Sequence, residues 1–270
     1  MDLSDVVEKA DLAPEVTWLL CTHVFDHQLQ LALQSCLDQT FVDFEIIIVA
    51  NGSDSELIFK KIRDFIGNDS RVRVFKTKVK HLPFSLSLGI HEARSRLIAR
   101  MDSDDISKPF RLEHQVRFMN AHPSVAVLGT AFEVIDEFGA LKREVTMPTT
   151  DHEIRRALMA TNPFCHPSVI FRRDAVLNVG GYLGGFHAED YDLWLRLSGE
   201  PGLKFANLPD ICLSYRELGV SGVRRARSAY ASVAASQFRF FMLSGRLVWL
   251  AGTIITIIKL LFRTRKRNKD

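Results

Sequence analysis

Short apolar runs that each stop at a polar turn, with helical patterns between them, constrain the fold of this chain more than any other feature. The runs cover residues 16–21, 44–50, 72–75 and 98–101. Consecutive β-branched and other apolar positions are typical of strands that are covered on both faces. Between the runs, one predicted helix has Leu29, Leu33 and Leu37 on a single face, and another covers 86–93. The alternation predicts an α/β fold with a mostly parallel central sheet flanked by helices.

Three of the runs end in polar turns at the same edge of the predicted sheet. In chain order the turns contain Thr22 and His23, then Asn51, Gly52 and Ser53, and then Asp102, Ser103 and Asp104. Sheets of this kind bind ligands at the carboxyl ends of their strands, where such turns meet. The sequence therefore predicts one crevice lined by all three turns.

The third turn is acidic, with Asp102, Asp104 and Asp105 directly after a buried strand. Carboxylates separated by one residue can share a divalent cation, and such a cation most often serves a phosphate group. Asp and Ser also favour turns because they hydrogen-bond locally, so an acidic strand end alone is equally typical of a simple turn. On the residues alone, both interpretations stay open.

A second acidic pair, Glu189 and Asp190, follows a glycine-rich turn and precedes a helical pattern. Acids in this place complement the helix dipole, which is worth well under about 1 kcal/mol at exposed sites. A carboxylate here could instead take a proton during catalysis. On the residues alone, the dipole role is favoured over the catalytic one.

Several stretches together resemble the sequence motifs of glycosyltransferase family 2. They are 21–24 (Cys-Thr-His-Val), 50–53 (Ala-Asn-Gly-Ser), 98–105 (Ile-Ala-Arg-Met-Asp-Ser-Asp-Asp), 109–116, 162–171 and 180–196. The resemblance runs from about residue 16 to residue 221, and the motifs occur in the family's order. It implies a GT-A fold, which is Rossmann-like, with 162–171 as a strand on the acceptor side.

The resemblance also implies an inverting transfer of a sugar from a nucleotide-sugar donor, in the first place a UDP-sugar, to a glycan or lipid-linked acceptor in surface glycan biosynthesis. A divalent cation, Mn²⁺ or Mg²⁺, on Asp104 and Asp102 would offset charge on the leaving diphosphate. The acceptor hydroxyl must lose a proton, which implies Asp190 as the base and Glu189 as its support. The implied donor-binding residues are Thr22, His23, Asn51, Asp102, Ser103 and Asp104, and the acceptor-side residues are His166 and Trp194.

The chain departs from the family pattern at several of these positions. Asn51 stands where relatives have an aspartate that contacts uracil, and an amide there can still pair with a base edge. Cys21 and His23 replace a proline and an aromatic residue. Leu218 stands where many relatives have a metal-binding histidine, so Glu217, a water or nothing would complete the coordination. These changes motivate an alternative, a catalytically impaired nucleotide-sugar-binding or scaffold relative. A metal-dependent phosphohydrolase is a second alternative.

The C-terminal segment combines an apolar run at 247–258 with a basic tail at 263–270. The run is shorter than the ~20 residues of a membrane-spanning helix, and Lys259 interrupts it. A helix that lies in the membrane interface fits the pattern, with Trp249 and the basic tail at the headgroup level. A helix packed on the catalytic domain or on a partner chain is the alternative.

Composition limits the remaining classes. The tail holds a net charge of +4 and the whole chain +3, so the body has no basic surface for nucleic acid. Cys21, Cys36, Cys165 and Cys212 are scattered, without metal-ligand spacing, and indicate reduced thiols. The first residues do not resemble a signal peptide, which favours a cytoplasmic enzyme peripheral to the membrane. We therefore expect an extension at 1–15, a catalytic domain at 16–222 and a helical segment at 223–270.

Overall fold

A mixed sheet organises residues 13–183, 187–217 and 222–266, the part of the chain that this computed structural model describes. Its strands are β1 (Val16–Thr22), β2 (Phe44–Asn51), β3 (Val72–Thr77), β4 (Leu97–Met101), β5 (Ile106–Ser107), β6 (Val125–Ile135), β7 (Leu141–Val145), β8 (Ile170–Arg172) and β9 (Lys204–Arg216). Their spatial order is β3-β2-β1-β4-β8-β6-β9-β5, and β7 pairs with β6.

Helices cover both faces of the sheet. They are α1 (His27–Leu37), α2 (Ser55–Ile66), α3 (Leu82–Glu92), α4 (Arg111–Ala121), α5 (Asp151–Ala157), α6 (Arg173–Asn178), α7 (Glu189–Gly199), α8 (Gly222–Ser244) and α9 (Leu247–Lys266). The carboxylate of Asp26 caps α1 by accepting the backbone N–H of Leu29 at 2.9 Å. A capping box of Thr150 and Glu153 begins α5.

The N-terminal strands β3, β2, β1 and β4 are parallel, and β1, β2 and β4 are buried at every position. Helix α3 lies so close to β1 that a Cβ at Gly89 would be 2.2 Å from Leu19 Cδ1, so only glycine fits there. The register aligns Thr22 with Ala50 and Leu20 with Met101. The three polar turns therefore leave the sheet at one edge, and the prediction of an α/β, mostly parallel sheet is confirmed.

The segment 162–171, predicted as a strand, is mostly irregular. Only β8 at its end is extended, and residues His166–Ser168 form one 3-10 turn. Proline lacks the N–H that a strand needs for its ladder, and Pro163 and Pro167 both precede β8. Strand β8 is antiparallel to β4 and to β6. The loop before it is thereby placed beside the end of β4.

The C-terminal helices α8 and α9 form a hairpin that packs on α7. On α7, the carboxylate of Asp192 pairs with Arg196 at 2.9 Å and with Arg239 of α8 at 2.7 Å. Trp249 is 5% exposed and packs edge-on against Phe240, so the prediction that it lies at headgroup level is wrong. The apolar pattern of α9 correctly indicated a buried face, but that face contacts protein. In the described part of the chain, no helix has the length and apolarity needed to cross a membrane.

Candidate active site

Three carboxylates lie together in the loop between β4 and β5. Asp102, Asp104 and Asp105 each offer an oxygen, and these oxygens all lie within 4.8 Å of one another. The last residue of β9 holds this loop, because Arg216 donates its backbone N–H to Asp105 at 2.8 Å and its Nε to the Asp104 carbonyl at 2.9 Å. The short pairing of β5 with β9 fixes the same loop from its other end.

The electrostatics of this cluster favour a cation. Burial and the nearby charge of Asp102 raise the pKa of Asp104 to about 6. Burial and the charges of Asp102 and Asp104 raise the pKa of Asp105 well above its ordinary value. The Oδ2 atom of Asp105 is buried without a hydrogen-bond partner. Carboxylate oxygens are the ligands that Mg²⁺ and Mn²⁺ prefer. The residues present therefore fit a divalent cation, and the assignment of Asp102 and Asp104 as its ligands, with Asp105 beside them, stays a prediction.

Glu217 does not complete this cluster. Its carboxylate pairs with Lys142 at 2.9 Å and with Arg143 at 3.3 Å, and these cations hold its pKa well below the usual range. Leu218, where relatives have a histidine ligand, lies outside the described residues. Of the options for the missing ligand, the structure disfavours Glu217.

A buried guanidinium interacts with both acidic groups. Arg100 of β4 is 1% exposed, and its Nη1 lies 2.6 Å from Asp102 Oδ1. Its charge lowers the pKa values of Asp104, Glu189 and Asp190 against the effect of burial. One arginine is thus close to both groups of acids, and it offsets their mutual repulsion.

The second pair sits at the start of α7. Asp190 is partly exposed, and both of its carboxylate oxygens accept hydrogen bonds, Oδ2 from Asn162 Nδ2 at 2.6 Å and Oδ1 from the Tyr191 backbone N–H at 2.8 Å. Burial nevertheless raises its pKa. A carboxylate that is held in one orientation and whose pKa lies above the ordinary value is suited to accept a proton.

Glu189 is more deeply buried, and burial together with the charge of Asp190 raises its pKa to about 7. The folded state therefore binds this proton more tightly than the unfolded chain does, so the group lowers stability as the pH rises from about 4.5 to about 7.

We expect Glu189→Gln to melt several degrees higher than the wild type at pH 8, with the difference closing towards pH 4.5. Thermal unfolding at several pH values measures this, and a difference that did not change with pH would contradict it.

The predicted acceptor-side residues differ in exposure. His166 is partly exposed, and its Nε2 lies 2.8 Å from the hydroxyl of Tyr182. Burial and the charge of Arg100 lower its pKa well below the ordinary value, so the ring is neutral. Trp194 is fully buried and packs against His166 and Phe164. The prediction that Trp194 lines the acceptor side is therefore wrong. The indole is inaccessible and packs against the ring of His166.

The predicted donor-binding residues lie at the ends of β1, β2 and β4. Thr22 is buried and its hydroxyl donates to the Val24 carbonyl at 2.7 Å, which closes the turn after β1. His23 is exposed in that turn, and Asn51 is 6% exposed at the end of β2. Ser103 lies in the acidic turn. The structure thus groups all of them at one edge of the sheet, and their contacts with a donor stay a prediction.

Two further residues of the site were missed by the sequence analysis. The alternation of side chains along β4 places Ile98 and Arg100 on one face, and Asp102 follows directly after the strand. This spacing could have identified Arg100 as a buried neighbour of Asp102. Asn162 has no comparable signal. It comes from an irregular loop that only the folding of β8 and α7 brings to Asp190.

A family model described as Glycosyl transferase family 2 matches residues 18–180, more than half of the chain. The chain belongs to this family. The match includes the three polar turns, the acidic cluster and the loop with Asn162 and His166. It ends before α7, so Glu189 and Asp190 lie beyond it.

Relatives extend the similarity over most of the chain. The O-antigen biosynthesis glycosyltransferase WbnJ of Escherichia coli is 35% identical over 84% of this chain and 89% of its own length. A UDP-Gal:alpha-D-GlcNAc-diphosphoundecaprenol beta-1,3-galactosyltransferase of Escherichia coli is 28% identical over 86% of this chain and 85% of its own. Glycosyl transfer is therefore the activity of this protein's family.

Solved structures share the fold. Mannosyltransferase PcManGT from Pyrobaculum calidifontis, in complex with GDP-Man and Mn²⁺, has a TM-score of 0.63 and 15% identity, covering 95% of this chain and 76% of its own. S. aureus TarS 1-349, in complex with UDP-GlcNAc, has a TM-score of 0.62 and 16% identity, covering 83% of this chain and 66% of its own. The chain thus spans about two thirds of that TarS chain. The expected GT-A fold is confirmed.

Proposed function

We propose that this glycosyltransferase transfers a sugar with inversion, from a nucleotide-sugar donor to a lipid-linked glycan acceptor in surface glycan biosynthesis. The observation that supports it most is the placing of two acidic groups, from distant parts of the sequence, around Arg100. A direct displacement requires stabilisation of the leaving diphosphate on one side of the sugar and a base for the acceptor hydroxyl on the other. The two groups suit these two tasks.

Asp190 is the base in this proposal. Hydrogen bonds from Asn162 and from the backbone of Tyr191 hold both of its oxygens, while its partial exposure leaves an edge open to an acceptor. Glu189 is nearly inaccessible, and in this proposal it supports Asp190 from the adjacent position at the start of α7. The neutral imidazole of His166 stands on the acceptor side, held by Tyr182.

Asp104 and Asp102 are the proposed ligands of a divalent cation. Bound there, Mn²⁺ or Mg²⁺ would neutralise charge that develops on the leaving diphosphate. Asp102 is also paired with Arg100, which fixes one of its oxygens. Arg216 holds the backbone of the loop, so the carboxylates keep their spacing.

A UDP-sugar is the proposed donor, and a diphosphate-linked lipid saccharide the proposed acceptor. The named substrates of the galactosyltransferase relative, UDP-Gal and GlcNAc-diphosphoundecaprenol, support this pair. Asn51 at the end of β2 would read the base through its amide, which offers both a donor and an acceptor. Because the amide is uncharged, Asn51 would distinguish one nucleobase from another by hydrogen-bond geometry.

A donor screen tests the proposal. Thermal shift with UDP-galactose, UDP-glucose, UDP-GlcNAc and GDP-mannose, each with and without MnCl₂, reports which donor stabilises the folded state. Release of nucleoside diphosphate then measures turnover, and NMR of the product gives the anomeric configuration. Binding without turnover for every donor and metal would favour the scaffold alternative. Phosphate release from simple nucleotides would favour a phosphohydrolase.

We propose further that the enzyme acts at the inner face of the cell membrane, through the outer face of the α8–α9 hairpin. This face exposes large apolar side chains, namely Met242, Leu243, Leu247, Ile254, Ile258 and Leu261. The spacing of those on α9 places them in one stripe. The basic residues of the tail follow directly, and their charge complements anionic lipid.

We expect the combined substitution Ile254→Ser and Ile258→Ser to weaken binding to phosphatidylglycerol vesicles at least about tenfold, because both side chains are about half exposed and lose apolar area for insertion. Flotation with these vesicles at two salt concentrations measures the effect. Phe138→Ser removes an exposed apolar residue on the β6–β7 turn and serves as the matched control. Unchanged binding, or no binding by the wild type to any vesicle, would contradict membrane docking. Point variants are preferable to deletion of α9, because Trp249 belongs to the core.

A further inference from the structure

Polar side chains are buried inside the α8–α9 hairpin, where a simple anchor would need only apolar ones. Gln237 of α8 is fully buried, and Thr256 of α9 is 3% exposed. The side chain of Gln237 uses both ends of its amide. Its Oε1 accepts a hydrogen bond from Thr256 Oγ1 at 2.8 Å, and its Nε2 donates to the Tyr191 hydroxyl at 2.7 Å and to the Met159 carbonyl at 3.2 Å.

The hairpin also holds the segment 158–162 that follows α5. Lys259 Nζ donates to the Ala160 carbonyl at 2.9 Å. Gly252 of α9 approaches so closely that a Cβ there would lie 3.0 Å from the Met159 carbonyl oxygen. The Tyr191 hydroxyl, itself an acceptor for Gln237, donates to the Leu158 carbonyl. Three consecutive carbonyl groups are therefore fixed by α7 and the hairpin.

The two hydrogen bonds to the Asp190 carboxylate come from Tyr191, whose hydroxyl belongs to this network, and from Asn162, two residues after the last carbonyl that the network holds. Asn162, at the end of the held segment, donates to Oδ2, and the backbone of Tyr191 donates to Oδ1. The network therefore lies directly behind both donors to Asp190. Loss of the Gln237 amide would remove the donor to the Met159 carbonyl and leave the Tyr191 hydroxyl with only its bond to the Leu158 carbonyl. Both groups lie next to the residues that orient Asp190.

We propose that Gln237 is a positioning residue for catalysis, which holds the Asp190 carboxylate in its reactive orientation through Tyr191 and the segment 158–162. The hairpin is then part of the transfer machinery as well as a membrane-docking element. This inference rests on the proposed role of Asp190 as the base. It assigns to the C-terminal helices a function that their apolar and basic pattern does not indicate.

A double-mutant cycle between Gln237→Leu and Asp190→Asn tests the inference, with the full-length chain and the nucleotide sugar of fastest turnover in the donor screen. We expect Gln237→Leu to lower kcat about tenfold with an unchanged KM for the donor, and to have almost no further effect in the Asp190→Asn background. Thr256→Val, which removes one hydroxyl, should lower kcat less than Gln237→Leu does. It should likewise leave the KM for the donor unchanged and have almost no further effect in the Asp190→Asn background.

Phe240→Leu is the control, because it weakens the hairpin at the Trp249 contact without touching the network. Even where Phe240→Leu lowers the melting temperature as much as Gln237→Leu does, it should keep the wild-type kcat. An equal fall in kcat for Phe240→Leu, or an undiminished effect of Gln237→Leu in the Asp190→Asn background, would overturn the inference. If Gln237→Leu does not fold, Thr256→Val decides by the same criteria. An Asp190→Asn variant with normal turnover would instead refute the proposed base.

Discussion

Asp190→Asn is expected to lower the rate of transfer by roughly 10²-fold or more while donor affinity stays near that of the wild type. The amide keeps the size of the side chain but cannot take the proton of the acceptor hydroxyl. One of its atoms now donates, so it also loses one of the two hydrogen bonds that orient the carboxylate. Single-turnover rates on the purified variant measure the transfer step, and donor titrations measure donor affinity.

Glu189→Gln is the matched control for this substitution, since the two acids are adjacent at the start of α7. Because Glu189 is almost fully buried, the exchange should lower transfer much less than Asp190→Asn does. A loss of donor affinity in Asp190→Asn, with an unchanged rate at saturation, would make Asp190 a binding residue. A larger loss in Glu189→Gln would make Glu189 the base.

Asp104→Ala is expected to abolish transfer and to remove the stabilisation that Mn²⁺ adds in the presence of donor. Arg216 bonds to the backbone carbonyl of Asp104, so the loop keeps this hydrogen bond in the variant. Burial raises the pKa of Asp104 to about 6, so loss of the carboxylate relieves a buried charge at neutral pH. We therefore expect an unchanged or slightly higher melting temperature without metal.

Asp69→Ala is a suitable control for the metal prediction, because that aspartate forms a surface ion pair with Arg71 at 2.8 Å. Such pairs are worth about 0–1 kcal/mol, so the control should transfer normally. Thermal shift with and without MnCl₂ and a transfer assay complete the comparison. Normal turnover by Asp104→Ala would exclude this carboxylate from the mechanism.

The parallel half of the fold was predictable from sequence because each of its strands contains a short, mostly apolar run. The polar turns after β1, β2 and β4 followed from that, since parallel strands must end at one edge. The segment 162–171 was predicted less well. The motif resemblance outweighed Pro163 and Pro167, which exclude a continuous strand.

Side-chain periodicity predicts which face of a helix is buried, but it does not predict whether protein, lipid or a ligand covers that face. Trp249 and Trp194 illustrate this limit. Each belongs to an apolar face that was assigned to lipid or to an acceptor, and each is buried in one hydrophobic cluster together with Phe164. The contact of Asn162 with Asp190 depends on an irregular loop, for which no sequence period exists. Long-range polar contacts of this kind need the folded chain.

The hold of Arg216 on the acidic loop has a consequence for the order of folding. Its two hydrogen bonds join residues that are 111 and 112 positions apart in the chain. Contacts between such distant positions form late, because a long loop must close first. A nascent chain can therefore complete its parallel strands before the loop with Asp104 and Asp105 acquires its final shape. Donor binding should thus begin only once β9 has been synthesised and has joined the sheet.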